Sequence, residues 1–253
     1  MILASRIDGS VSAPVLVLSG GLGTTTAVWD AQLAALTARF RVLRHDLPGH
    51  GESPVPDGPV SVEAIGRGVL ALLDEFAAGP AAFCGLSLGG MVGMWLGANA
   101  PDRIDRLVLA CTGASLGTPE MYAERSVLVR REGMGVTLDG ARERWFTPAF
   151  RDSPAARRIL EDLCAVPAEG YAACCEAVGR FDFREELAAV ASPTLVVYGE
   201  DDPVTPPPVV DELAEGIPGA RRVGIPQAAH LANVEQPEAF NAAVLSHLLE
   251  GTE

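Results

Sequence analysis

The chain has 253 residues, with 33 acidic side chains against 19 basic ones, and its formal net charge is -14. All 19 basic residues are arginine. Chemistry that needs a lysine is therefore excluded, including a Schiff base, a phosphate-loop lysine and a Ser-x-x-Lys acylation site. The acidic balance argues against nucleic acid and anionic membrane surfaces as partners. A hydrophobic content of 48% with 21% charged residues is typical of a globular protein.

The cysteines indicate a reducing compartment. They are odd in number, two of them are adjacent, and no Cys-x-x-Cys spacing occurs; they are Cys84, Cys111, Cys164, Cys174 and Cys175. This pattern favours reduced, buried thiols over a disulfide framework or a zinc site. The first ten residues lack an apolar signal core. We therefore expect a cytoplasmic protein.

Short apolar runs alternate with amphipathic stretches along the chain. The predicted strands are Val15–Leu18, Phe40–His45, Ala81–Leu86, Leu107–Cys111, Leu195–Tyr198 and Arg221–Ile225. The predicted helices are Ala27–Ala38, Ser61–Phe76, Leu88–Asn99, Val209–Glu215 and Pro237–Leu249. Continuously apolar central strands are typical of parallel strands that are covered on both faces. The alternation predicts an α/β fold with a mostly parallel, doubly wound sheet.

The alternation stops between residues 112 and 191, where the sequence has helical character and no clear strand. We predict that residues 1–111 and 192–253 form the core and that residues 112–191 form a helical cap. The cap contains 10 of the 19 arginines. Eight of them lie between Arg125 and Arg158 against four acidic residues, a local net charge of +4.

One uncharged stretch, from Phe76 to Pro101, could be mistaken for a membrane span. Within it, Gly79-Pro80 and a glycine-rich centre would break a spanning helix. We interpret it instead as a buried strand, a sharp turn and a buried helix.

The turn in that stretch reads Gly85-Leu86-Ser87-Leu88-Gly89 and matches the pattern Gly-x-Ser-x-Gly. The predicted strand before it and helix after it provide the context that a nucleophile elbow requires. Such a turn raises the serine hydroxyl above the sheet and places it at a helix N-terminus, which favours a developing oxyanion. Ser87 is therefore the candidate nucleophile.

A serine hydroxyl needs a base, and the base needs an acid to orient it. His230 lies between the final strand and the final helix, where sites of α/β sheets form. His45 and His50 precede the elbow, and His247 lies on the last helix, where we expect it to be exposed. After the preceding strand, Asp202 fits the position of the acid, and Asp201 is its competitor. The order Ser87, Asp202, His230 is that of α/β-hydrolases.

An oxyanion hole needs two donors. One is expected to be the backbone N–H of Leu88, directly after the nucleophile. The other is expected from the loop Ser19-Gly20-Gly21-Leu22-Gly23-Thr24, after an early strand. Within this loop, Leu22 N–H is the candidate, because the two glycines before it allow the backbone to approach the site closely.

With these residues placed, the chain resembles the α/β-hydrolases over nearly its whole length, and more narrowly the 3-oxoadipate enol-lactonases of the β-ketoadipate pathway of aromatic catabolism. The elbow and the final segment are shared by many hydrolases. The segments that carry the resemblance are residues 19–24, 48–53, 83–91, 143–148, 171–175 and 229–237.

The resemblance implies the substrate: a small enol lactone with a carboxymethyl arm, which the enzyme opens to 3-oxoadipate without a metal or another cofactor. The free carboxylate of this lactone needs a cation, which must be arginine here. The candidates in the basic stretch are Arg125, Arg130, Arg131 and Arg144, and Trp145 is a candidate for lining the pocket over the ring. The sequence does not determine the oligomeric state.

The same catalytic residues fit other activities. A general carboxylesterase, or a hydrolase of C–C bonds in ring-cleavage products, would use the same three side chains. A cofactor-free perhydrolase or haloperoxidase is a third enzymatic alternative. A receptor that keeps the hydrolase pocket but has little turnover is an alternative of another class.

Overall fold

The computed structural model of the chain describes residues 1–77 and 79–250. Within this part, one sheet contains the strands β1 (Ser5–Asp8), β2 (Val15–Ser19), β3 (Arg41–His45), β4 (Ala81–Leu86), β5 (Ile104–Ala110), β6 (Thr194–Gly199) and β7 (Arg221–Ile225). Their order across the sheet is β1-β3-β2-β4-β5-β6-β7. Only the β1–β3 pair is antiparallel among these strands. The predicted α/β fold with a mostly parallel sheet is confirmed.

The α-helices of the described chain follow the predicted alternation. They are α1 (Asp30–Leu36), α2 (Val62–Phe76), α3 (Leu88–Asn99), α4 (Pro119–Glu132), α5 (Leu138–Trp145), α6 (Pro154–Ala165), α7 (Ala168–Arg180), α8 (Pro207–Gly216), α9 (Ala232–Glu235) and α10 (Pro237–Leu248). The bounds of α3 agree with the prediction. The predicted helix Ala27–Ala38 is divided in the structure into a 3₁₀ turn, Thr26–Trp29, and α1.

Successive side chains of the central strands enter two separate cores. On β2, Val17 belongs to the core that α2, α3 and α8 cover, whereas Leu16 and Leu18 belong to the core on the other face, which α1 and α10 cover. All three side chains are fully buried. Burial of a side chain of this size stabilises the fold by about 2 kcal/mol. The double burial explains why these strands read as continuous apolar runs.

Four helices, α4 to α7, occupy the segment between β5 and β6. Two of them start at a capping residue followed by proline. The Thr118 hydroxyl accepts the Met121 N–H before α4, and the Ser153 hydroxyl accepts the Ala156 N–H before α6. These caps satisfy N–H groups that have no partner inside the helix, and proline at the first helical position loses no hydrogen bond.

The cysteines are free in the structure, and four of the five are buried. Cys164 is exposed, so the expectation that all five are buried is wrong for this residue. Burial raises the pKa of the Cys84, Cys111 and Cys174 thiols, and it raises that of Cys175 to about 12. These four side chains therefore remain neutral thiols at neutral pH.

The uncharged stretch from Phe76 to Pro101 contains the strand β4 and the helix α3, as the sequence pattern predicts. In residues 1–77 and 79–250, no helix has both the length and the apolar character needed to cross a membrane.

Candidate active site

Ser87 lies on the sharp turn between β4 and α3, with φ 53° and ψ −114°. A positive φ at a residue other than glycine costs about 1–3 kcal/mol and is characteristic of functional sites. A Cβ on Gly85 would collide with the backbone of Gly89, so this close approach requires glycine. The turn is held by the Ser87 N–H, which donates to the carbonyl of Ala110 at 2.9 Å. The Thr112 hydroxyl donates to the Ser87 carbonyl at 2.7 Å.

The structure brings Ser87, His230 and Asp202 together in one hydrogen-bonded chain. His230 Nδ1 lies 2.8 Å from Asp202 Oδ2, and His230 Nε2 lies 3.1 Å from Ser87 Oγ. Because a carboxylate only accepts, Nδ1 carries the proton and donates to Asp202. In the neutral ring, Nε2 is then free to accept the serine proton. This arrangement has the geometry of a nucleophile, a base and an orienting acid.

The Asp202 carboxylate is buried and surrounded by donors. Oδ1 accepts the Val204 N–H at 2.7 Å, and Oδ2 accepts the Thr205 hydroxyl as well as the His230 ring. Burial by itself would raise the pKa of Asp202, but His230 and these hydrogen bonds together hold it below its usual value. The competitor Asp201 is exposed. The geometry therefore favours Asp202 over Asp201.

The two candidate oxyanion donors lie on either side of Ser87. The loop that contains Leu22 packs directly on the elbow, since a Cβ on Gly21 would lie 3.3 Å from the Ser87 Cβ. The Gly89 N–H donates to the Gly20 carbonyl at 3.1 Å and fixes one end of this loop. Neither Leu22 N–H nor Leu88 N–H has an acceptor among the described residues. Both are therefore available to a substrate oxygen.

A cavity of about 300 Å³ opens above Ser87 and His230. Its floor is formed by the core, including Leu22. Its opposite wall is formed by the helices of residues 112–191, which contribute Tyr122, Arg125, Arg144, Trp145 and Tyr171. The predicted position of Trp145 at the pocket is consistent with this lining. The cavity thus places a serine on one side and guanidinium groups on the other.

Arg125 and Arg144 line this cavity, and neither forms an ion pair with a carboxylate of the described residues. The Arg125 guanidinium stacks over the Tyr122 ring, with its central carbon 5.1 Å from the ring centre. Burial and the neighbouring Arg125 lower the pKa of Arg144. Two adjacent cations that form no ion pair with the described carboxylates favour an anion in the cavity.

Arg130 and Arg131 do not line the cavity, which corrects the prediction that either could contact substrate. Arg130 is held by Glu169 at 2.8 Å and by Glu176 at 2.5 Å, and both carboxylates come from α7. Arg131 pairs with the adjacent Glu132 on the exposed side of α4. Carboxylates therefore neutralise these two cations, and positive charge near the cavity comes from Arg125 and Arg144.

Comparison with known proteins places the chain in a family. A model of the alpha/beta hydrolase family matches residues 15–243. The chain belongs to the α/β hydrolase family. It is 39% identical to 3-oxoadipate enol-lactonase 2 of Acinetobacter baylyi over 238 residues, which cover 93% of this chain and 89% of that protein.

Two further relatives show how broad this α/β hydrolase group is. The crystal structure of the enol-lactonase from Burkholderia xenovorans LB400 matches with a TM-score of 0.95 at 41% identity, covering 98% of this chain and 96% of that one. A putative carbamate hydrolase of Stutzerimonas stutzeri is 31% identical over 94% of this chain and 92% of its own length. The resemblance to enol-lactonases is therefore shown, while the family also includes relatives named for another substrate.

Glu235 is a buried residue of this hydrolase, and in the sequence it stands out only as a member of the segment of residues 229–237. Its Oε1 accepts the Ala229 N–H at 2.7 Å, next to His230. Its Oε2 accepts the N–H and the hydroxyl of Thr147, at 3.0 and 2.7 Å. The carboxylate thus joins the histidine loop to the segment after α5. Within the sequence, only its place five residues after His230 pointed to this position.

The remaining histidines are all buried. The prediction that His247 is exposed is wrong: its Nδ1 lies 3.2 Å from Arg221 Nη2, and its Nε2 lies 3.2 Å from the Pro193 carbonyl. His45 and His50 are fully enclosed, and this burial lowers the pKa of each to about 4. Both rings are therefore neutral at the pH values at which the protein is expected to work.

We predict that acid weakens the fold through His45 and His50. Each ring has a pKa of about 4 when folded against an ordinary value of 6.5, so the unfolded chain binds more protons between these values. Their stabilising effect is complete above pH 6.5 and is lost as the pH falls towards 4. At pH 5 we expect a loss of about 2 kcal/mol per histidine in the free energy of unfolding.

Urea unfolding at pH 7.5 and pH 5.0 measures this loss. The variant His45→Gln removes one of the two titrating rings and should show a smaller difference between the two pH values than the wild type. An equal pH dependence in the variant and the wild type would contradict the assignment for His45.

Proposed function

We propose that this α/β hydrolase is a serine hydrolase that opens a small anionic enol lactone, 3-oxoadipate enol-lactone, to 3-oxoadipate. One observation carries the proposal: Ser87 and His230 of the Ser87–His230–Asp202 chain line the same small cavity as two arginines that form no ion pair within residues 1–77 and 79–250. The first feature supports acyl transfer, and the second supports a substrate with a free carboxylate. Residues 112–191 act as a cap that closes the cavity over the serine.

In the proposed reaction, Ser87 Oγ attacks the lactone carbonyl while His230 Nε2 takes its proton. Asp202 holds the ring and stabilises the imidazolium that forms. Leu22 N–H and Leu88 N–H bind the oxygen of the tetrahedral intermediate. The bond from the carbonyl carbon to the ring oxygen then breaks, and His230 returns the proton to the departing enol.

The same groups then assist the hydrolysis of the acyl-enzyme, which completes the cycle. His230 activates a water molecule, which attacks the acyl carbon and releases Ser87. An enol oxygen leaves more easily than an alkoxide, so the acylation step is favoured. The released enol becomes a ketone, which makes reversal of the ring opening difficult. Apart from this water molecule, the steps use only the side chains and backbone amides named above.

The test is a direct comparison of substrates with the purified protein. We expect multiple turnovers on the enol lactone and a kcat/KM at least about a hundredfold above that on p-nitrophenyl acetate, since the neutral ester cannot use the arginines. A similar or higher value on the ester would indicate a general carboxylesterase. Turnover of neither substrate would indicate another substrate class or a ligand-binding protein.

The arginines provide a second prediction. We expect Arg125→Gln to raise KM for the anionic lactone about tenfold, because a charge-assisted hydrogen bond is lost. Arg144→Gln should have a smaller effect in the same direction, because Arg144 is more exposed. KM for a neutral p-nitrophenyl ester should change by less than about twofold, because this ester has no carboxylate that the guanidinium groups could bind.

Arg131→Gln is the matched control, since Arg131 lies on the same helix as Arg125 but pairs with Glu132 away from the cavity. It should leave both KM values unchanged. Equal effects of Arg125→Gln on the lactone and on the ester would contradict a carboxylate anchor.

A further inference from the structure

The turn formed by residues 46–53 lies beside the active site, and none of its side chains takes part in the proposed reaction. Hydrogen bonds to the Asp46 carboxylate hold this turn in place. Oδ1 accepts the Thr26 N–H at 2.7 Å, and Oδ2 accepts the Glu52 N–H at 3.0 Å. The Ser53 hydroxyl donates to the Asp46 carbonyl at 2.8 Å. These bonds make the turn a rigid platform at the end of β3.

His50 projects from this platform towards the oxyanion loop. Its ring is fully buried, with Nδ1 2.9 Å from the Pro48 carbonyl and Nε2 3.0 Å from Gly23 N. A backbone N–H only donates, so Nε2 must be the acceptor. The ring proton is then on Nδ1, which donates to Pro48. Both ring nitrogens of His50 thus form hydrogen bonds, and Nε2 binds the backbone of another loop.

The amide that His50 holds is next to the proposed oxyanion donor. Gly23 directly follows Leu22, and its φ of 85° requires glycine. At the other end of the loop, the Gly20 carbonyl accepts the Gly89 N–H at 3.1 Å. The short segment that contains Leu22 is therefore fixed at one end by the elbow helix and at the other end by an imidazole.

We propose that His50 is a positioning residue that holds the loop of residues 20–23 so that Leu22 N–H meets the oxyanion. This role rests on the proposed serine mechanism. Charge on the carbonyl oxygen develops only as the tetrahedral intermediate forms, so correct placement of Leu22 stabilises the transition state and not the bound substrate. The loss of this support lowers kcat and leaves KM nearly unchanged.

Two substitutions separate the two nitrogens of the ring. Asn is short and places its amide where Nδ1 lies, so His50→Asn keeps a donor for Pro48 and loses the acceptor for Gly23. Gln is longer, and in His50→Gln its Oε1 reaches the position of Nε2. We expect His50→Asn to lower kcat about ten- to a hundredfold with KM within twofold, and His50→Gln to restore kcat to within about threefold of wild type.

Wild-type turnover is measured first, so that failure of the serine mechanism is seen before the variants are compared. Equal losses of kcat in the two variants, or a change confined to KM, would overturn the positioning role. Imidazole ¹⁵N NMR of the wild-type protein is a test that does not depend on a variant folding. The His50 signals should show the neutral tautomer with its proton on Nδ1 at pH 7; a proton on Nε2 would overturn the proposal.

Discussion

Ser87→Ala is expected to lower kcat on the enol lactone by about 10⁶-fold, because removal of the nucleophile leaves only binding and the oxyanion donors. The side chain loses one oxygen and keeps its Cβ, so the packing of Gly21 against that atom is retained. The fold should therefore be intact, and the free energy of unfolding should remain within about 0.5 kcal/mol of wild type, a change typical of substitutions that disturb no packing.

Three measurements check this prediction. Stopped-flow assays of the wild-type protein with a p-nitrophenyl ester should show a burst of nitrophenol if an acyl-enzyme accumulates. A fluorophosphonate should label the peptide that contains Ser87 in the wild type and leave Ser87→Ala unlabelled. Urea unfolding shows that the variant is folded. Retention of even a tenth of the wild-type rate by a folded variant would exclude the serine mechanism.

The elbow could be predicted closely from the sequence because the residues that form it are adjacent in the chain. The apolar residues of β4, the Gly-x-Ser-x-Gly turn and the apolar helix α3 are adjacent in the chain, and each constrains the others. The same holds for the parallel strands, because burial on both faces leaves continuous apolar runs. By contrast, the sequence pattern does not predict β1, which has four residues, contains Arg6 and Asp8, and pairs at the edge of the sheet. Because no residue of β1 is fully buried, its sequence shows no apolar run or alternation.

The roles of site residues could not be predicted where the contacting residue lies far away in the sequence. Arg130 and Arg125 occupy the same helix and look equivalent in the sequence. Their difference arises because α7 places two carboxylates against Arg130, from positions 39 and 46 residues further along the chain. The partner of His50 likewise lies 27 residues earlier. These pairings depend on how the elements pack, which periodicity and spacing do not encode.

The net charge of the helical segment also fails to identify the cations at the cavity. Residues 112–191 contain 13 acidic residues and 10 arginines, so the segment as a whole is -3 although the part from Arg125 to Arg158 is +4. Ion pairs neutralise Arg130, Arg131, Arg142 and Arg158. Positive charge at the cavity therefore comes from Arg125 and Arg144, which lack such partners in the described part of the chain, and only the fold identifies them.

Asp202→Asn is expected to lower kcat about 10⁴-fold, a size taken from the effect of the same change in the chymotrypsin triad. The amide of Asn would present a donor to His230 Nδ1, where the carboxylate now accepts at 2.8 Å. The ring would then accept at Nδ1 and carry its proton on Nε2, facing Ser87. A protonated Nε2 cannot take the serine proton, so the loss should fall on kcat.

Asp201→Asn is the matched control, because it makes the same chemical change one residue earlier on an exposed side chain. It should leave kcat within about twofold of wild type, as surface substitutions away from a site usually do. A larger loss in Asp201→Asn than in Asp202→Asn would reassign the acid to Asp201.

Stability must be measured separately for Asp202→Asn. The depressed pKa of Asp202 means that its ionised form stabilises the fold at neutral pH, and that this contribution is lost as the pH falls below the ordinary carboxylate value. The variant lacks this contribution at every pH, so it should be less stable than wild type at pH 7, and the difference should shrink in acid. A rate loss in a protein that urea titration shows to be folded at the assay temperature therefore reports the orientation of His230 and the acid that sets it.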